Sequence, residues 1–524
     1  MPVAAIDGST ATHLSDQQKT LENGRETLFT KRAKIARDQA LAGNAPPIPS
    51  NTERYQHIDD NPIKRVADDP VSTFSLDVDT GSYSNVRRFI AGGRRPPQDA
   101  VRVEEMINYF PYDYPAGNGK DPFGVRTELA PCPWNGEHWL MRVAVRADDV
   151  EARSMPPANL VFLIDVSGSM DQPNKLPLLK QSLELLVDQL RSQDRLSLVV
   201  YAGNTAVVLD PTPGNEHDKI SRAIDGLSAG GSTAGEAGIR LAYRAARASF
   251  IQGAINRVLL ATDGDFNVGI TDFQQLKDLV AHERESGVQL STLGFGVDNY
   301  NEQNMEQLAD TGNGSYAYID NLTEGRKVLV DQMHSTLVTV AKDVKVQVEF
   351  NPRAVREYRL IGYENRALAR EDFNNDKVDA GEVGAGQSVT ALYELTPVGA
   401  AASVDPLRYR HTAPSADEPS PDLASAAEIA FVKLRYKQPG GSDSKLVEFP
   451  VEKSALLASF ANAGDDFRFA TAVAGFGQLL RGGKQTGAWT MDNVLDLALG
   501  SRGKDEFGYR SEFVSLVRSA KVLS

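Results

Sequence analysis

The sequence predicts an α/β chain in which a doubly wound, mostly parallel sheet is inserted in a β-sandwich, with a helical region after it. Three observations carry this. Residues 158 to 335 alternate short, continuously apolar runs with segments of helical periodicity, the pattern of a parallel sheet covered on both faces. Segments on either side of that unit alternate apolar and polar residues with period two, as half-wet antiparallel strands do. From Ser454 the apolar spacing turns helical again.

The elements follow in chain order. Residues 1–50 read as an arm and linker. They contain no apolar signal-peptide core, and a charged, helix-favouring stretch (17–42) ends at Pro46-Pro47-Ile48-Pro49. Residues 51–157 form an N-terminal α+β flanking region contributing to the sandwich. Phe74, Leu76 and Val78 alternate as in a half-buried strand, 82–91 and 99–109 are helical, and 123–150 returns to strands. In the α/β unit, Leu160 to Ile164 is a buried strand. Leu176, Leu179, Leu183, Leu186 and Leu190 then put one apolar stripe on a helix over 175–193. Residues 197–201 and 205–209 pair as an edge hairpin, 257–262 is a second buried strand, and 290–297 and 315–319 supply later ones. Strict alternation of apolar and polar residues follows over 343–350; 387–395 and 429–436 repeat that pattern. Residues 336–452 complete the sandwich and 453–524 cap it with helices.

Chemistry concentrates where strands end. Asp165-Val-Ser167-Gly-Ser169 follows the first buried strand directly, and in open α/β sheets the ligand crevice lies beyond the strands' carboxyl ends. Ala229-Gly-Gly-Ser-Thr233-Ala-Gly235 is a glycine-rich loop ahead of a helix, and Thr262-Asp263-Gly264 ends the second strand. Asp165, Ser167, Ser169, Thr233 and Asp263 are all oxygen donors, with no Cys or His among them. Such a set suits Mg²⁺, which takes octahedral oxygen ligands at roughly 2.1 Å, better than zinc.

These three motifs resemble the metal-ion-dependent adhesion site of the von Willebrand factor type A (VWA) domain. The resemblance implies that Ser167, Ser169 and Thr233 ligate the ion through hydroxyls while Asp165 and Asp263 act largely through bound water. Mg²⁺ is the implied ion, with Mn²⁺ and Ca²⁺ also admitted. It further implies a sixth position filled by an Asp or Glu carboxylate of a protein partner, and a last helix, about 321–342, that is coupled to ligation and feeds into the strand after it. The wider chain is similar to bacterial cell-envelope VWA proteins, many of them predicted lipoproteins, through residues 72–84, 102–110 and 465–524. That resemblance implies a place in the periplasm or at the surface. The expectation from the sequence departs from that family in one respect, since neither a signal peptide nor a lipoprotein cysteine motif is read in it.

Composition narrows the function classes. A net charge of -14 and a pI near 5.1 argue against nucleic acid as partner. No stretch approaches the roughly 18 apolar residues of a membrane span, and a lone cysteine, Cys132, excludes an internal disulfide. Asp372 to Asp379 has alternating oxygen donors, yet Lys377 and Val383 replace the Gly and Glu of a calcium loop. Residues 477–484 miss the phosphate-loop spacing, the seven histidines form no ligand pair, and Asp77 and Asp79 suit a turn cap. The expectation is a non-enzymatic, metal-dependent protein-binding module, with Asp171, Asn204, Phe266 and Asn267 setting specificity. A scaffold with a vestigial site and a metal-dependent hydrolase are the alternatives. No nucleophile paired with His supports the hydrolase.

Overall fold

The computed structural model describes residues 53–76, 79–117, 119–150, 154–231, 235–264, 273–297, 300–378, 380–407 and 427–523. Thr233, Phe266, Asn267, Asp77, Val78, Asp379 and the arm over 1–50 lie outside the described residues.

The α/β unit contains strands β1 (Ala158–Asp165), β2 (Arg195–Tyr201), β3 (Thr205–Pro213), β4 (Ile255–Thr262), β5 (Gln289–Phe295) and β6 (Tyr316–Ile319). Their order is β6-β5-β4-β1-β2-β3. Every pairing is parallel except that of the edge strand β3 with β2. All eight residues of β1 and of β4 are buried because alternate side chains enter different helical layers. Leu160, Phe162 and Ile164 share a core with Leu179, Leu183 and Leu186 of helix Leu176–Val187. Val161 and Leu163 meet Ile239, Ala242 and Ala246 of helix Gly235–Ala248.

Two expected helices are shorter or broken. The 175–193 helix stops at Val187. Asp194 draws the following segment into a turn by accepting from the Arg191 N–H at 2.8 Å and the Ala158 N–H at 3.0 Å. The helix expected over 321–342 divides into Leu322–Arg326, a π-helical Lys327–Asp331 and Met333–Leu337, and a strand already begins at Thr339. The π segment carries Val328 and Leu329 into the sheet core and Lys327 over the Tyr109 ring.

Strands before and after this unit pair with one another. Asn135–Ala147 runs antiparallel to Ser388–Pro397, with Arg142 opposite Leu392, and Val71–Ser75 pairs with Thr339–Phe350, with Phe74 opposite Val346. Met141, Val143 and Val145 from one side join Val346, Val348 and Phe350 from the other in a single apolar cluster. The strands expected to be half wet, 71–75 and 343–350, are more deeply buried than alternation predicts. All of Val71–Ser75 and of 344–348 is buried. A loop covers their polar face: the Lys345 ammonium donates to the Asp372 and Asn375 carbonyls at 2.9 and 2.7 Å, and Gln347 donates to the Thr73 hydroxyl. The same contacts place an ammonium among the backbone oxygens of the calcium-like loop.

Helices Asp465–Leu480, Met491–Gly500 and Tyr509–Val522 lie against Leu140, Ala144 and Leu392. They also enclose Phe110, whose ring meets Phe469 and Phe513 edge-on. The helix expected over 99–109 is reduced to Val103–Asn108 after a 3₁₀ turn at Gln98–Ala100.

Candidate metal centre

Asp165 is the last residue of β1 and is fully buried. One carboxylate oxygen accepts the Ser167 N–H at 2.8 Å. The other accepts the Thr262 hydroxyl at 3.0 Å and the Tyr201 hydroxyl at 3.4 Å. These donors come from the ends of β4 and β2, the strands on either side of β1, so parallel pairing itself assembles the cradle. Burial pushes the Asp165 carboxyl up to about 6, although the Ser167 and Thr262 bonds favour its charged form.

Asp263 follows β4 and is likewise fully buried. The chain turns at Gly264, where φ is +85° and a Cβ would stand 2.8 Å from the Asn301 nitrogen, so glycine is required there. Lys175 reaches Asp263 from the start of helix Leu176–Val187, with Nζ 2.8 Å from Oδ2. Ser167 and Ser169 bring their Oγ atoms to 3.0 Å from each other. The glycine-rich loop docks on this turn through two backbone bonds, Gly230 N–H to the Val166 carbonyl (2.7 Å) and Gly168 N–H to the Gly231 carbonyl (3.1 Å). Asp165, Ser167, Ser169 and Asp263 thus converge at the carboxyl ends of β1 and β4. Asp171 and Asn204 are exposed on neighbouring loops.

The donor set suits a hard divalent cation. At a metal–oxygen distance of roughly 2.1 Å, adjacent corners of an octahedron stand about 3.0 Å apart, and the two serine oxygens have this separation while hydrogen-bonded to each other. Among the described residues no group of three or more His, Cys, Asp or Glu side chains is arranged to hold a metal ion. Among the described residues, the oxygens brought together on this face are therefore hydroxyls beside two carboxylates. Sequence reasoning missed Lys175, Thr262 and Tyr201. Only Thr262 had a local signal, its place beside Asp263.

A second cluster of charge lies on the last helix of the unit. Arg87, buried, donates Nε to Asp320 at 2.9 Å, Nη2 to Glu324 at 2.7 Å and Nη1 to Glu512 at 2.7 Å. The Tyr109 hydroxyl donates to Glu324 at 2.6 Å, and the Tyr509 hydroxyl to Asp331 at 3.0 Å. Flanking segments from both ends of the chain thereby grip residues 320–331.

Three family descriptions match consecutive parts of the chain: "von Willebrand factor" over 49–142, "von Willebrand factor type A domain" over 159–332, and "Uncharacterized protein YfbK, C-terminal" over 335–523. "Uncharacterized protein YfbK" of Escherichia coli K12 is 50% identical over 476 residues, covering 90% of this chain and 81% of that protein. The chain belongs to the YfbK family of VWA-domain proteins. Human inter-alpha-trypsin inhibitor heavy chain H3 is 25% identical over 266 residues, 46% of this chain and 28% of that protein. Among solved structures, a von Willebrand factor type A protein from Catenulispora acidiphila aligns with a TM-score of 0.41 at 17% identity, over 78% of this chain and 92% of that one. No helix among the described residues is long and apolar enough to cross a membrane.

Proposed function

We propose that the VWA domain of this YfbK-family chain is a metal-dependent protein-binding module. In this reading Ser167 and Ser169 hold a divalent cation, Mg²⁺ foremost, through their hydroxyls, and Thr233 completes the set by its place in the motif. Asp165 and Asp263 orient the ion's water ligands, and an Asp or Glu carboxylate of a partner protein takes the remaining position. The bound ion supplies an electron-poor centre for that carboxylate. The rest is done by the chain: Thr262, Tyr201 and the Ser167 N–H fix Asp165, and Gly264 turns the chain directly after Asp263. The observation that carries the reading is the 3.0 Å pair of serine oxygens beside two fully buried carboxylates.

A cell-envelope location and the absence of catalysis belong to the same proposal. The first is supported by the likeness of residues 72–84, 102–110 and 465–524 to envelope proteins. The second is supported by the sequence motifs of the site, whose donors are hydroxyls and carboxylates with no histidine among them. Calorimetric titration with Mg²⁺, Mn²⁺ and Ca²⁺ tests the centre: one saturable site is expected, abolished in an Asp165→Ala, Ser167→Ala double variant. Partner capture is expected to stop in EDTA. Capture unaffected by alanine at Ser167 and Ser169 would instead identify a scaffold whose interface lies in the flanking segments.

A further inference from the structure

Lys175 is 2% exposed and its ammonium contacts Asp263, which is fully buried. Its position is built in from elsewhere in the fold. The aliphatic stem runs along Gly296, where φ is +82° and a Cβ would fall 2.2 Å from the lysine Cε. The Gly296 carbonyl is itself held by the Tyr318 hydroxyl, and the Lys175 N–H is anchored on the Gln172 carbonyl at 3.0 Å. A long cation threaded through a glycine gap onto a carboxylate that ends a buried strand is costly to desolvate. A surface lysine at a helix start needs none of this arrangement.

We infer that Lys175 tunes the charge of the metal centre, offsetting negative charge at Asp263 so that the ion-loaded site attracts an anionic ligand more strongly than it would without the ammonium. The inference rests on the metal-binding reading above and concerns the balance of affinities at that site. An uncompensated carboxylate at Asp263 would hold a divalent ion more tightly and weaken its attraction for a partner's carboxylate. With the ammonium present, the ion is bound less tightly and the partner's carboxylate is attracted more strongly. Lys175 is thus a positioning and charge-setting residue that acts through Asp263, and it makes the centre selective for acidic over neutral oxygen ligands.

The test uses Mn²⁺ and acetate on the full chain. Lys175→Met removes the charge; Lys175→Gln removes it while retaining a hydrogen-bond donor, which guards against a folding failure of the first. Mn²⁺ affinity is read by electron paramagnetic resonance, and acetate binding to the loaded site by relaxation of its methyl protons. Both variants are expected to bind Mn²⁺ at least about tenfold tighter and acetate at least about tenfold weaker, because one unit charge is removed close to the ion in a buried setting. Structural damage would weaken both, so opposite signs isolate the charge effect. Unchanged or weaker Mn²⁺ binding in the variants, or undiminished acetate binding, overturns the role of Lys175 while leaving the metal centre intact. Absence of any Mn²⁺ binding by the wild-type chain overturns the metal-binding reading and this inference with it.

Discussion

Two regions of the molecule gather carboxylates, and they answer the resulting charge differently. Around Arg87 the side chains of Asp320, Glu324 and Glu512 meet a buried guanidinium whose donors are fully engaged, aided by the Tyr109 hydroxyl. At the carboxyl ends of β1 and β4, Asp165 and Asp263 are also buried, but the groups beside them are hydroxyls and one ammonium. The arginine cluster is closed by the chain's own cation and ties three parts of the sequence together. The strand-end cluster keeps neutral oxygens together at a loop rim, where the proposed reading puts a diffusible ion. Carboxylates closed by a fixed arginine serve the fold; carboxylates ringed by hydroxyls suit a ligand.

The largest effect expected from this contrast is on stability. Arg87→Leu leaves Asp320 buried without its cation and Glu324 with only Lys327, at 4.0 Å, and is expected to cost about 3–5 kcal/mol in urea unfolding, with Mg²⁺ affinity unchanged. A loss below about 1 kcal/mol would put the arginine cluster on a par with surface ion pairs and break the distinction. Next comes the pH response of Lys327, which is wholly buried over the Tyr109 ring, beside Tyr509, with Glu324, Arg87, Asp320 and Glu512 around it. Burial lowers its ammonium to about 7, with Glu324 opposing the shift. Between that value and the ordinary lysine range the unfolded chain holds the extra proton, so stability rises with pH from about 7 upward, by at most about 1.4 kcal/mol per pH unit. Lys327→Met is expected to remove that rise; equal slopes in the two proteins would show that the lysine is solvated. The smallest stability effect is expected at the strand ends: Ser167→Ala or Ser169→Ala should change unfolding by less than about 1 kcal/mol yet abolish calorimetric Mg²⁺ binding. A large stability loss from either serine would make that turn structural and erase the contrast.

Much of this was legible beforehand, for identifiable reasons. Asp165, Ser167, Ser169 and Asp263 stand next to continuously apolar strands, and strand ends point to the crevice of an open parallel sheet. The hairpin of β2 and β3 and the helix at 235–248 also follow local periodicity. Lys175 was hidden because its role depends on Gly296, more than a hundred residues later. Tyr201 was read as a strand residue, and only the β1–β2 register aims its hydroxyl at Asp165. The half-wet strand expected from 343–350 failed because alternation reports side-chain polarity and cannot foresee a covering loop. Lys345 and Gln347 are buried with their hydrogen bonds supplied by residues 73 and 372–375.

By itself, the sequence determined the elements with their own period, the doubly wound unit they build and the oxygen donors at its strand ends, because periodicity and turn chemistry are local. Tertiary structure alone decided which strands from opposite sides of that unit pair, where its last helix breaks, and which buried charge meets which. Phe74 opposite Val346 and Arg87 against Glu512 join residues hundreds of positions apart. The energy of such contacts comes from burial and charge compensation between distant segments, which leaves no mark on either segment alone.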